Sequence, residues 1–156
     1  MGFLSPMVAY GQEASGEISD DQILVLACLE NLEQGTTWGQ CLNLIFQPCV
    51  SHEVGSDGHV TCLTTERGVW RAAMDTLQSQ VFDALTPAGG SELAGVMGQW
   101  TGYMAQKCQE VAASKPESGA ASARLGCEIT ELVGLTGEFA ACLEGRSAAP
   151  YCQFKS

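Results

Sequence analysis

Two short spellings in this chain have residue types and spacing that could do chemistry: Cys49-x-x-His52 and His59-x-x-Cys62, which mirror each other across Gly55, Asp57 and Gly58. Thiolate and imidazole are ligands that zinc prefers, so a Cys2His2 site is one reading of the four side chains. The other is a disulfide from Cys49 to Cys62, with His52 and His59 as ordinary loop residues. The wider cysteine pattern decides between them. The chain carries eight cysteines: Cys28, Cys41, Cys49, Cys62, Cys108, Cys127, Cys142 and Cys152. Metal knuckles usually set two cysteines two to four residues apart, and no C-x-x-C occurs here. An even number of widely spaced cysteines points to disulfides, with no metal and no cofactor, in a protein that meets an oxidising compartment. Bridges between sequential cysteines are expected, out of on the order of a hundred connectivities that such a set allows.

Catalysis finds little support. A catalytic triad needs a histidine beside a nucleophile, and both histidines fall in the one small loop between Cys49 and Cys62. Carboxylates are plentiful, and any two could converge for glycoside hydrolysis, but nothing singles out a pair. The reading is not an enzyme.

Composition narrows the partners. The chain has 156 residues, of which 46% are apolar and 16% charged. That is the make-up of one globular domain able to bury roughly 70% of its unfolded surface. Against 7 Lys and Arg stand 18 Asp and Glu, a net charge of −11. Such a surface repels nucleic acid and anionic membranes, and it steers association toward basic partners. No run of apolar residues is long enough to span a membrane.

The N-terminal run Gly2 to Gly11 is apolar with a proline and small residues, which reads as the back half of a signal peptide lacking its basic start. Residues 1–18 are therefore a truncated signal peptide and linker, and 19–156 a single disulfide-braced helical domain. Leu26-Ala27-Cys28 resembles a lipoprotein cleavage box only faintly. Asp20 and Asp21 occupy the place of its apolar leader, and lipidating Cys28 would leave an odd number of cysteines.

The elements that must carry these residues are helices. Ser19-Asp20-Asp21-Gln22 has the form of a capping box opening a helix from about Asp20 to Leu32. Thr36 or Thr37 caps a second, through Trp38, Cys41, Leu42, Ile45 and Phe46. A loop from Cys49 to Cys62 follows. The stretch from Cys62 to Cys108 then organises the chain as a long antiparallel helical hairpin broken at Thr86-Pro87-Ala88-Gly89-Gly90. Its first arm, about Thr65 to Leu85 with a cap at Thr64 or Thr65, carries the stripe Trp70, Met74, Leu77, Val81 and Leu85. Arg67, Arg71, Asp75 and Gln78 lie mostly off it and should be solvated. The return arm, capped by Ser91, buries Leu93, Met97, Trp100, Met104 and Val111. A last helix from about Ala121 to Leu143 offers Leu125, Ile129, Leu132, Phe139 and Leu143, and close helix packing could offset the cost of its Gly126, Gly134 and Gly137. The fold expected is an all-α bundle built on the hairpin and braced by disulfides, each worth about 3 kcal/mol in the chain-entropy model.

One family comes into view at this point. The run Cys49…Cys62-Leu63-Thr64-Thr65-Glu66…Trp70…Met74-Asp75…Leu77, then Leu93…Gln99-Trp100-Thr101-Gly102-Tyr103…Cys108…Cys127, resembles the LprI-like family. These are small cysteine-bonded helical domains named after a mycobacterial lysozyme inhibitor. The likeness runs from about Cys49 to Leu143, and its most specific part is Gln99-Trp100 with Tyr103 and Cys108. Trp70, Gln99, Trp100 and Tyr103 are the family-motif residues. Members commonly carry an arginine and an acidic residue just after the tyrosine, where this chain has Met104 and Ala105, and an arginine in the last helix, near Gly137 or Glu138 here.

The resemblance and the acidic charge together imply an exported, periplasmic or secreted, binding protein whose partner is a basic protein such as lysozyme. Its contact carboxylates would be Glu53, Asp57, Glu66 and Asp75. The alternative is a structural or assembly module of the cell envelope, without inhibitory activity.

Overall fold

The computed structural model describes residues 19–31, 39–46 and 49–154. The signal-peptide reading, the helix caps at Thr36 and Thr37, and Trp38 lie outside them. Five α-helices follow one another: α1 (Asp20–Glu30), α2 (Gly39–Phe46), α3 (Asp57–Ala84), α4 (Pro87–Ala113) and α5 (Glu117–Leu143). Short 3-10 turns occupy Cys49–Ser51 and Pro150–Phe154. No strand occurs among the described residues, and no helix is long and apolar enough to cross a membrane.

The helix starts show which local signals won. Ser19 accepts the backbone N–H of Gln22 at 3.1 Å, as a cap should. The Gln22 side chain does not reach back to complete the box. It donates instead to Thr76 Oγ1 at 3.0 Å, tying α1 to α3. Helix α3 begins at Asp57, well ahead of the expected Thr65, because Ser56 caps it by accepting from His59 N at 3.2 Å. Thr64 and Thr65 then sit inside the helix and bond the carbonyls of Val60 and Thr61 behind them. Half of the expected loop is thus helical. Helix α4 opens at Thr86, not Ser91: Thr86 Oγ1 accepts from Gly89 N, and Pro87 fills the first helical position, where its missing N–H costs nothing. The expected breaker is therefore a helix start. Helix α5 ends at Gly145, whose φ of +75° turns the chain after the cap at Glu144.

The bundle is all-α and disulfide-braced, but α5, not the α3–α4 hairpin, is its axis of packing. Helix α5 lies along both α3 and α4, whereas α3 and α4 scarcely touch each other. Direction follows from the pairs. His59 meets Ser122 and Arg67 meets Glu128, so α3 and α5 run parallel. Cys108 joins Cys127 and Lys107 meets Glu131, so α4 and α5 run antiparallel. The core is built where α5 faces α3: Trp70, Met74 and Val81 from one side, Ile129, Leu132 and Phe139 from the other, with Val25 and Leu29 of α1 closing it. Tyr151 adds an edge-on contact to Phe139 at 6.3 Å and is itself buried.

Helix α4 has one long neighbour, and its stripe shows it. Leu93 is fully buried, but Met97, Trp100, Met104 and Val111 are only partly so. The expectation of two core tryptophans holds for Trp70 and is met only in part for Trp100, which packs against the core but keeps one side toward solvent.

All eight cysteines are bonded in sequential order: Cys28–Cys41, Cys49–Cys62, Cys108–Cys127 and Cys142–Cys152. Each ties neighbouring elements: α1 to α2, the first 3-10 turn to α3, α4 to α5, and α5 to the C-terminal turn. Four bridges and no free thiol fit an oxidising compartment.

Candidate functional site

The segment 49–59 forms a tip where the chain turns into α3. Three fixings hold it. The Cys49–Cys62 bond closes its base, with Cys49 itself buried. Gly55 donates its backbone N–H to Ser122 Oγ at 3.2 Å, and His59 Nδ1 lies 2.8 Å from the same oxygen. Gly55 can make that approach because its φ is +86° and because it has no Cβ, which would stand 2.3 Å from the Ser118 carbonyl oxygen. Ser56 locks the turn by donating to Glu53 O at 2.6 Å.

On this rigid base the outer side chains face water. Val50 and Val54 are 75% and 74% exposed, and Glu53, Asp57 and His52 are exposed beside them. Holding two apolar side chains in water on a braced loop brings the fold no packing energy. Such a surface suits contact with another molecule, and its charge is negative.

The structure distributes the sequence-derived carboxylates unevenly. Glu53 and Asp57 share the tip. Asp75 is exposed but stands 18 residues beyond Asp57 on α3, roughly 27 Å along the helix. It pairs with Arg71 at 3.3 Å. Glu66 is the correction: it is buried on α3, so it cannot be a surface contact. Burial pushes its carboxyl up to about 7, and the charge of Asp21 adds to the effect. The family-motif residues do not gather into a site. Trp70 is in the core, Gln99 and Tyr103 are exposed on α4, and Trp100 is partly buried between them.

Three of the four potential zinc ligands are otherwise engaged, and the fourth, His52, is exposed. Both sulfurs are in the disulfide and His59 is bonded to Ser122; no group of three or more metal-binding side chains is assembled among the described residues. The Ser122–His59 pair has the composition of a nucleophile and its base, yet the serine is 5% exposed and takes the Gly55 N–H. Its arrangement is that of a pin joining α5 to the tip. Sequence reasoning missed Ser122. The available clue was a serine on the stripe Leu125, Ile129 and Leu132, at the spacing of the helix's buried face.

Among the seven Lys and Arg, Arg67, Arg71, Lys107, Arg124 and Arg146 all pair with carboxylates of the same chain. Little positive charge is left to offset the acidic excess at the surface. Set against family models, curated proteins and solved structures, the chain matches none.

Proposed function

We propose that this chain is an exported, periplasmic or secreted, acidic binding protein of the LprI-like kind, which engages a basic partner such as lysozyme through the 49–59 tip without catalysing a reaction. The observation that carries this reading is the exposure of Val50 and Val54 beside Glu53 and Asp57 on a loop fixed by a disulfide and by Ser122. A preorganised loop loses little conformational entropy on binding. The apolar pair supplies buried area, and the carboxylates raise the association rate toward a basic surface. The four disulfides suit an extracytoplasmic site of action.

The test is inhibition of a c-type lysozyme by the oxidised protein at low salt, repeated with Val50→Ser/Val54→Ser and with Glu53→Lys/Asp57→Lys. The expected result is inhibition at micromolar concentration that weakens with salt and is lost in both variants. No inhibition by the parent protein would remove lysozyme as the partner; inhibition unchanged in both variants would remove the tip. Gly55→Ala, which strains the loop without altering its outer side chains, should also lose affinity.

The alternative, an envelope assembly module without inhibitory activity, draws on a different surface. Ile23, Leu24 and Leu44 are more than half exposed on α1 and α2. Loss of a stable envelope complex on Leu24→Ser/Leu44→Ser, with the tip variants unaffected, would favour it.

A further inference from the structure

Because α3 and α4 both lie on α5 and scarcely on each other, a groove of about 440 Å³ opens between them. Arg67, Gly68 and Arg71 form one wall, Met104 the other, and Glu128 and Leu132 the floor. Its charge runs against that of the whole molecule. Arg67 bonds Glu128 at 2.7 Å, and Arg124 approaches the same carboxylate at 3.8 Å. Arg71 lies one turn beyond Arg67 on the same face of α3. Three guanidinium groups thus gather around Glu128 and Asp75, in a chain with only seven Lys and Arg.

Those ion pairs leave capacity to spare. A guanidinium carries five N–H donors, and the Arg71–Asp75 pair at 3.3 Å has side chains 57% and 56% exposed. An exposed pair of this kind is held weakly, so a second carboxylate can compete for the fork. Between the arginines the wall is bare. A Cβ placed on Gly68 would meet nothing within 4 Å. The same open space surrounds other helix glycines, such as Gly126 and Gly134; at Gly68 it leaves the groove wall without a side chain. Met104 and Leu132 complete an apolar lining next to the cations. A groove of this volume is within the range of small-ligand sites.

We propose that this groove binds a small anionic amphiphile, its carboxylate held by Arg67 and Arg71 and its hydrocarbon tail laid over Gly68 against Met104 and Leu132. The excess negative charge elsewhere on the chain does not forbid it, because exposed charges more than about 8 Å away are largely screened at physiological salt. The site is distinct from the tip: Arg67 stands ten residues, about 15 Å, beyond Asp57 along α3.

The test titrates the oxidised protein by calorimetry with octanoate, octanol and octyltrimethylammonium, each below its micelle concentration. Octanoate is expected to bind with one-to-one stoichiometry, at least tenfold more tightly than either of the others. Gly68→Leu, which fills the groove, should abolish binding, and Arg71→Gln should weaken it about tenfold, both with an unchanged helical circular dichroism spectrum. Equal binding of octanol and octanoate would overturn the proposal, and so would parent-like affinity in Arg71→Gln. Should Gly68→Leu fail to fold, the exposed Arg71→Gln variant decides alone.

Discussion

Glu66 and Trp70 stand one turn apart on the buried face of α3, and each presents a polar atom, Oε2 and Nε1, for which the structure supplies no hydrogen-bond partner. A buried carboxyl without a partner is costly to ionise. Here it favours the protonated form, and its titration is linked to folding.

Glu66 is raised from its ordinary 4.5 to about 7 by burial and then by Asp21. A carboxyl that keeps its proton longer in the folded chain contributes fully below the unfolded value, and that contribution is lost as pH rises to the folded one. Between about pH 4.5 and 7 the parent protein should lose stability relative to Glu66→Gln, by at most about 3 kcal/mol. Urea midpoints of both proteins at pH 4, 5, 6 and 8 check this. Parallel curves would mean that Glu66 ionises freely in the folded state.

The two tryptophans should part company under truncation. Trp70 is fully buried, so Trp70→Ala should cost about 3–5 kcal/mol. Trp100 is partly exposed on a helix with one long neighbour, and Trp100→Ala should cost roughly half as much or less. Chemical denaturation of the oxidised proteins measures both. Equal losses would contradict the packing described for α4.

Gly126 and Gly134 of α5 should each accept alanine with a gain. A Cβ on either would meet nothing within 4 Å, so close packing is not the reason for these glycines. Each Gly→Ala change should stabilise by up to ~1 kcal/mol through helix propensity. Melting temperatures of the two variants provide the check, and a drop in either would reveal a contact at that position.

Much of the scaffold was legible in the sequence. Cysteine spacing and the stripes Trp70 to Leu85 and Leu125 to Phe139 pointed to helices, disulfides and most of the core. What escaped was relational. Periodicity says that α4 has an apolar face, but not that only α5 and the short C-terminal turn cover it, which leaves Trp100 and Met104 partly buried. Chain adjacency suggested that α3 pairs with α4, whereas the parallel partner from further along, α5, has the better face. Ser56 and Thr86 are caps of a type that sequence can show, but Thr64 or Thr65 and Ser91 offer the same signal nearby. At the tip, Glu53 and Asp57 were named from charge alone. The exposure of the valines beside them leaves no local trace, and the stripe that marks Ser122 as buried does not tell which residue, 67 positions away, it holds.

The four bridges span 13, 13, 19 and 10 residues, and none encloses or crosses another. Each sulfur's nearest cysteine along the chain on one side is its rightful mate. A chain delivered from the N-terminus onward could therefore oxidise pair by pair, sealing each link before the next cysteine arrives, with no mispaired bond to undo.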